Sequence, residues 1–235
     1  MTSRTIKVDD IENCEDVIRE AVSVLQGGGL VVYPTDTSYG LACDPTNEDA
    51  INRLLEVKKR NRGLGVPLLF SDFAQCELYH DFDNLERVLV RLFWPGALTL
   101  IVTPRESIPD LITGGRGSVA VRVPDHYIPR GIARGLGAPI VGTSANRSGG
   151  KNPFELSTAM EQLGDAIDLY IDAGPSSVEA NSTIIGVEGT GNDGEPLNIK
   201  VFREGLLSVD RITEGLRVDS DGLRYWTSRI VYPEM

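Results

Sequence analysis

One short segment concentrates cations beside a predicted helix end. Residues 58–62 read Lys-Lys-Arg-Asn-Arg, and the glycine-containing loop 63–67 follows. Arginine presents planar bidentate donors and lysine a mobile point charge, so the segment fits a clamp for phosphate. Cations that only complement a helix dipole would give the same pattern. The segment is therefore compatible with both a phosphate site and an ordinary helix end.

Two more polar segments follow apolar strands. Residues 143–150 read Thr-Ser-Ala-Asn-Arg-Ser-Gly-Gly, and residues 33–40 place hydroxyl side chains on a turn that contains Pro34. Hydroxyl groups and the backbone N–H groups of such turns can hold phosphate oxygens. α/β folds usually bind ligands at strand ends of this kind. Each segment alone is still compatible with an ordinary loop.

Arg122 interrupts a strand, residues 119–123, that is otherwise apolar. A buried guanidinium is costly unless an anion pairs with it. A substrate carboxylate is a natural partner, although a structural Asp or Glu would serve equally well. Arg203 is a second cation at a strand end, because it directly follows the predicted strand 198–202.

The motifs of several common enzyme classes are missing. The sequence has no G-x-x-x-x-G-K-[ST] loop, no H-E-x-x-H and no G-x-S-x-G. His80 and His126 have no recognisable nucleophile partner. The three cysteines form no C-x-x-C pair, so we expect reduced structural thiols and no zinc site at Cys14, Cys43 and Cys76.

The charge balance opposes broad binding to nucleic acid. The chain has 23 basic and 34 acidic residues, hence a formal net charge of -11. Only a weak, local RNA contact is expected, since affinity for nucleic acid comes largely from cations on phosphates. The first residues lack the apolar stretch of a signal peptide, and no apolar run is as long as a membrane helix. We expect a cytoplasmic protein without membrane contact.

Helical and extended patterns alternate, which predicts one α/β domain with a mixed sheet. One helix is expected to start at Thr46, and another at a capping box of Asp83 and Glu86. Helices are predicted over 16–26, 46–60, 83–93 and 157–163. Strands are predicted over 30–33, 98–102, 119–123, 139–141, 169–172, 183–187 and 198–202.

Taken in order, the polar motifs resemble those of the YrdC-like threonylcarbamoyl-AMP synthases. The resemblance extends over about residues 15 to 207, and its motifs are specific only as an ordered set. The matching segments are Pro34 to Leu41, Lys58 to Arg60, Phe93 to Thr99, Val121 to Pro124, Thr143 to Gly149, Asp172 to Gly174, Ser182 to Ile184 and Arg203 to Gly205.

The resemblance implies a fold and a reaction. The fold would be a twisted, open sheet of parallel and antiparallel strands with flanking helices around a concave pocket. The reaction would condense L-threonine, bicarbonate and ATP to threonylcarbamoyl-AMP and pyrophosphate, a nucleotidyl transfer that serves tRNA modification. Mg²⁺ is expected to bridge the ATP phosphates, and a downstream tRNA threonylcarbamoyl transferase complex is the expected partner.

The resemblance also implies residue roles. The catalytic tetrad that would hold the ATP phosphates is Lys58, Arg60, Ser144 and Asn146. The threonine pocket would include Thr35, Arg122 and Ser182, and further nucleotide contacts would be Ser118 and Arg203.

Two departures from the family pattern affect these roles. The run from Arg60 to Pro67 is longer than usual, so Arg62 could take over part of the clamp. Ser71 stands where the family often has a histidine that contacts threonine. We expect residues 10–207 to form the catalytic domain and 208–235 to form a C-terminal tail or flap.

Two other functions stay open at this stage. A YciO-like relative would share the fold and the ATP pocket but lack strong synthase activity. An RNA-binding or ribosome-maturation module would use residues 58–62, and its binding to RNA would depend strongly on salt.

Overall fold

The computed structural model describes residues 3–105, 108–189, 198–222 and 229–233. Its strands are β1 (Arg4–Lys7), β2 (Val31–Tyr33), β3 (Gly40–Ala42), β4 (Leu68–Leu69), β5 (Leu98–Val102), β6 (Val119–Arg122), β7 (Ile140–Val141), β8 (Thr143–Ser144), β9 (Leu169–Asp172), β10 (Thr183–Glu188), β11 (Asn198–Arg203) and β12 (Arg229–Val231). Its α-helices are α1 (Glu15–Gln26), α2 (Glu48–Lys58), α3 (Phe73–Glu77), α4 (Asn84–Phe93), α5 (Asp110–Thr113), α6 (Tyr127–Leu136), α7 (Leu156–Leu163) and α8 (Val209–Val218).

Two mixed sheets form the body of the fold. The first sheet has the strand order β1-β9-β2-β3-β8, with parallel pairing of β9 to β1 and β2 and antiparallel pairing elsewhere. The second sheet has the order β12-β11-β10-β5-β6-β4-β7 and also combines both pairings. The predicted α/β class with a mixed sheet and flanking helices is confirmed, but the strands divide into two sheets instead of one.

Gly142 joins the two sheets, since it is the single residue between β7 of the second sheet and β8 of the first. A Cβ at this position would lie 2.2 Å from Cγ of Leu69. The Gly142 N–H donates to the Pro67 carbonyl at 2.8 Å. Glycine is therefore required for the chain to pass this closely beside β4.

Side-chain caps fix the starts of two predicted helices. At α4 the capping box is confirmed, because Asp83 accepts from the Glu86 N–H and Glu86 accepts from the Asp83 N–H. The start predicted at Thr46 is wrong by one residue. Asn47 caps α2 through a bond from the Ala50 N–H, while Thr46 bonds back to Asp44.

Helix α6 was not predicted, since Gly131 and Gly135 lower its helix propensity. The structure shows what these glycines do. A Cβ on Gly131 would lie 2.5 Å from Cδ1 of Ile18, and one on Gly135 would lie 2.9 Å from Cγ2 of Val22. Close packing of α6 against α1 therefore requires these glycines, and the same glycines prevented prediction of the helix from the sequence.

The buried side chains form two clusters. The smaller one joins α1 and α6 to β2 and β9, and the larger one joins α2, α4 and α7 to strands of both sheets. In the C-terminal region, Ile212 and Leu216 of α8 belong to the larger cluster, and β12 pairs with β11. No helix among the described residues is long and apolar enough to cross a membrane.

Candidate active site

A cavity of about 210 Å³ lies where the two sheets meet. The first sheet and the turn after β2 line one side with hydroxyl-bearing residues, among them Thr35, Thr37 and Ser144. The second sheet lines the other side with Arg122 and Thr99. The cavity is thus polar and positively charged, which suits a small anionic or zwitterionic ligand.

A second cavity of about 200 Å³ adjoins the first. Arg60, Pro67 and Ile184 line both cavities, so the two share a wall that includes the Arg60 side chain. Much of the second cavity is apolar, and its polar lining residues are Arg60, Thr113, Arg116 and Ser118. We call the first the polar cavity and the second the apolar cavity.

Asp36 pairs with Arg122, so the anion that a buried guanidinium requires is supplied by the chain itself. Arg122 is 5% exposed. Its Nη2 lies 2.5 Å from Oδ1 of Asp36, its Nη1 donates to Thr37 at 3.1 Å, and its Nε donates to the Gly96 carbonyl at 2.8 Å. Three of its five N–H groups are used, so two are available to a ligand carboxylate in the polar cavity.

Ser182 lies between Thr99 and Arg203 in the same cavity. Its Oγ accepts from Thr99 Oγ1 at 2.9 Å and from Arg203 Nη2 at 3.2 Å. Since this oxygen already accepts twice, the Ser182 hydroxyl proton can be donated to a ligand. Burial lowers the pKa of the Arg203 guanidinium, and the positive charge of Arg122 lowers it further.

Lys58 lies behind the polar cavity, does not line it and is 1% exposed. Its Nζ donates to the carbonyls of Ser144 and Asn146, the latter at 2.6 Å. Its own carbonyl accepts from the Ser148 N–H at 2.8 Å. Lys58 therefore fastens the end of α2 to the turn that carries the Ser-x-Asn pair. Burial lowers the pKa of Lys58 to about 7, and the charge of Arg60 acts in the same direction.

The turn after β8 is closed by its own side chains. Ser144 Oγ donates to Asn146 Oδ1 at 2.6 Å, and Asn146 Nδ2 donates to the Gly150 carbonyl at 3.0 Å. Ser144 lines the polar cavity, whereas Asn146 is buried behind it. Asn146 is thus placed to orient the Ser144 hydroxyl.

Arg60 and Arg62 differ in position although they are two residues apart. Arg60 is held by a bond from its Nε to the Gly65 carbonyl at 2.8 Å and faces both cavities. Burial lowers the pKa of Arg60, and the positive charge of Arg116 lowers it further. Arg62 is exposed and lines neither cavity.

Of the ten predicted site residues, the structure gathers seven along the two cavities and sets Lys58, Asn146 and Arg62 apart. The seven are Thr35, Arg60, Ser118, Arg122, Ser144, Ser182 and Arg203. Sequence reasoning missed Asp36, Thr37 and Arg116. Asp36 and Thr37 stood inside a quoted motif, but only the fold shows that they contact Arg122.

Comparison with known proteins decides the family. The family model Sua5/YciO/YrdC, described as "Telomere recombination", matches residues 23–205. A protein of Mycobacterium tuberculosis is 36% identical over 222 residues, which cover 94% of this chain and 99% of that protein. This chain belongs to the Sua5/YciO/YrdC family. The Idiomarina loihiensis member, named threonylcarbamoyl-AMP synthase, is 35% identical over 179 residues, covering 75% of this chain and 91% of that member.

Solved structures of the Sua5/YciO/YrdC family show the same fold. P. abyssi Sua5, solved in complex with L-threonine, matches with a TM-score of 0.84 and 30% identity over 97% of this chain. This chain spans 63% of the length of that protein. E. coli YciO matches with a TM-score of 0.75 and 25% identity, covering 87% of this chain and 96% of YciO.

Ser71, for which the resemblance implied a position often held by a threonine-contacting histidine, does not line the polar cavity. Its Oγ donates to Asp72 and its carbonyl accepts from Arg130, so it is held among residues outside the site. His126 caps α6, with Nδ1 accepting from the Ile128 N–H. His80 pairs with Glu86 at 2.8 Å, outside the lining of both cavities.

Proposed function

We propose that this protein is a threonylcarbamoyl-AMP synthase, which condenses L-threonine, bicarbonate and ATP and releases pyrophosphate. The observation that carries the proposal is that Arg60 lines both a polar cavity and an adjoining apolar one. The polar cavity suits an amino acid and the apolar cavity suits a nucleobase. The Arg60 guanidinium lies between them, where the phosphates of the nucleotide would lie. The relatives named for this activity support the same reading.

Threonine would occupy the polar cavity. The two N–H groups of Arg122 that make no intramolecular bond would hold its carboxylate, and the Ser182 hydroxyl would donate to an oxygen of the ligand. Thr35 Oγ1 donates to the Ser38 carbonyl at 2.7 Å and accepts from the Thr37 N–H at 3.0 Å, so Thr35 would shape the wall of the threonine site. The complex of P. abyssi Sua5 with L-threonine is consistent with this assignment.

ATP would extend from Arg60 into the apolar cavity. The base would contact Ile101, Ile112 and Ile184, with Ser118 at one edge and the Arg116 guanidinium beside it. Arginine stacks well on aromatic faces and also neutralises phosphate. The Ser144 hydroxyl donates to Asn146 Oδ1 in this structure, so it would have to turn its proton away from Asn146 to donate to a phosphate oxygen near Arg60.

The chemistry then needs two steps, and each step forms one bond and breaks another. The threonine amine attacks bicarbonate, and loss of water gives the N-carboxylate. An oxygen of that carboxylate attacks the α-phosphorus in line and breaks its bond to the β-phosphate, so pyrophosphate leaves. The protein would contribute position and positive charge, which supply most catalysis in phosphoryl transfer. The product would pass to a downstream tRNA threonylcarbamoyl transferase complex.

The donor set does not fit a resident magnesium ion. Magnesium prefers carboxylates together with phosphates and water. The carboxylate of Asp36, which contacts Arg122 of the polar cavity, is committed to that guanidinium. Among the residues described here, no group of three or more His, Cys, Asp and Glu side chains comes together. We propose that Mg²⁺ arrives on the ATP phosphates, and none of the steps above relies on it.

The deciding experiment measures pyrophosphate release from ATP by the purified chain. L-threonine and bicarbonate are each supplied or withheld, and release that needs both is the expected result. ATP binding without such release would overturn the proposal in favour of a YciO-like relative. RNA binding that weakens steeply with salt, without threonine-dependent ATP consumption, would point to the RNA-binding module.

A further inference from the structure

A third cavity, of about 450 Å³, lies outside the proposed active site. Its lining shares no residue with the polar or the apolar cavity. The volume falls in the range of cavities that hold small organic ligands, about 300–1,000 Å³. We call it the back cavity, because β6 separates it from the polar cavity: Arg122 lines one and the next residue, Val123, lines the other.

The wall of the back cavity is apolar and partly aromatic. It consists of Phe73, Val90, Trp94, Pro95 and Val123. The indole N–H of Trp94 is already donated to the Leu98 carbonyl at 2.7 Å, so it offers no polar contact to a ligand. The Phe73 ring packs on Phe82, with the ring centroids 5.0 Å apart. Such a wall suits the flat, apolar part of a ligand.

Three arginines and one aspartate complete the lining. Arg87 pairs with Glu77 at 2.5 Å, and Arg91 pairs with Asp219 at 2.7 Å. Asp72 accepts from the Gln75 N–H and from Ser71 Oγ, both at 2.9 Å. These bonds lower the pKa of Asp72, the bond from the Gln75 N–H most of all, so its carboxylate stays ionised.

Arg130 differs from the other two arginines. It is partly buried, and its Nε donates to the Ser71 carbonyl at 2.8 Å. In the part of the chain that the structure describes, its two terminal nitrogens make neither a hydrogen bond nor an ion pair. The positive charge of Arg130 helps to lower the pKa of Asp72, which lines the same cavity, but the two side chains form no ion pair. Both terminal nitrogens of Arg130 are therefore open to a ligand carboxylate, which would match them bidentately.

We propose that the back cavity is a binding site for a small apolar anion, namely an aromatic carboxylate. The carboxylate pairs with Arg130, and the ring lies against Phe73, Trp94 and Val123. The site is separate from the polar cavity, so its occupation does not depend on the proposed synthase activity.

Binding of 4-fluorophenylacetate, followed by fluorine NMR, tests the proposal on the full chain. We expect saturable binding with a dissociation constant of about 1 mM or tighter, as ligand efficiencies for a molecule of this size allow. The uncharged amide, 4-fluorophenylacetamide, should bind at least about tenfold more weakly, because a charge-assisted pair with Arg130 is lost. This comparison uses the unmodified protein and does not depend on whether a variant folds.

Three variants locate the binding. Arg130→Gln should weaken binding of the carboxylate about ten- to a hundredfold. Arg134→Gln, one turn further along α6 and outside the lining, should leave it unchanged, and so should Arg60→Gln in the proposed active site. Four outcomes would each overturn the proposal. The acid and the amide bind equally well, or Arg130→Gln still binds the carboxylate as the parent does. Alternatively, Arg60→Gln loses the binding, or no saturable binding is seen up to about 10 mM carboxylate, ten times the expected dissociation constant.

Discussion

The carboxylate of Asp36 and the guanidinium of Arg122 form an ion pair at 2.5 Å inside the proposed threonine site. Their side chains are only 15% and 7% exposed. The pair fixes the plane of the guanidinium and still leaves donors for a ligand. In the proposed function, Asp36 would act on threonine through Arg122, as a positioning residue.

The first prediction concerns this pair. Asp36→Ala leaves a buried guanidinium without its anion, which should lower the free energy of unfolding by about 3 kcal/mol. Urea unfolding measures it, with Asp125→Ala, an exposed carboxylate in the turn after β6, as the control. Asp36→Asn keeps a polar partner, so it should fold and raise KM for threonine more than KM for ATP. An Asp36→Ala variant as stable as the parent would contradict the role of the pair.

The second prediction separates Arg60 from Arg62. Arg60→Ala should lower the rate of pyrophosphate formation by about 10²–10³, the effect of losing one preorganised donor to developing charge. Arg62→Ala should change it by at most about fivefold, as for an exposed cation. Steady-state kinetics with varied ATP measures both variants. Equal losses would mean that Arg62 reaches the phosphates after all.

The third prediction concerns the proton on Lys58. With a pKa of about 7 the amine is mostly neutral at pH 8, and its two N–H groups match the carbonyls of Ser144 and Asn146. The negative charge of ATP raises this pKa, so binding at pH 8 should take up as much as about one proton. Calorimetry in two buffers of different ionisation enthalpy detects the uptake.

Lys58→Arg is the matched control for the third prediction, since arginine stays protonated and has no proton to gain. ATP should still bind to this variant, but the dependence on buffer should disappear. If the binding enthalpy depended on the buffer equally in parent and variant, the proton taken up with ATP would bind to a group other than Lys58.

The fourth prediction concerns pH and stability at His80. Burial lowers the pKa of His80, but the hydrogen bond and charge of Glu86, with the Thr103 carbonyl, outweigh it, so the net shift is upward. A raised folded-state pKa gives stability that is complete below the unfolded value near 6.5 and is lost as pH rises through the folded value. His80→Gln should reduce the loss of stability between pH 6 and pH 8. Urea unfolding at both pH values measures this, and an unchanged difference would exclude His80 as its source.

The sequence was most informative where local chemistry decides the structure. The capping box of Asp83 and Glu86 and the apolar run 98–102 needed only neighbouring residues to be predicted. Helix α6 escaped prediction because its glycines are explained by Ile18 and Val22, more than a hundred residues away. The division into two sheets escaped for a similar reason, since pairing between distant strands leaves no local pattern.

In the candidate site, too, residue types were predictable from the sequence, whereas contacts between distant residues were not. The residue types predicted a cationic, hydroxyl-rich site, and the structure brings most of those residues to two joined cavities. The sequence could not show that Lys58 bonds to the carbonyls of its own chain, because a lysine at a helix end usually remains in solvent. Nor could it choose between Asp36 and a substrate as the partner of Arg122.

The passage of the chain through Gly142 has a mechanical consequence. Gly142 lines the polar cavity and is the covalent link between β7 and β8. A shift of one sheet against the other would move this residue and so change the shape of the cavity. By thermodynamic reciprocity, a ligand whose affinity depends on that shape would in turn favour one relative position of the sheets. Ligand affinity and the freedom of the sheets to shift would then be two measures of one equilibrium.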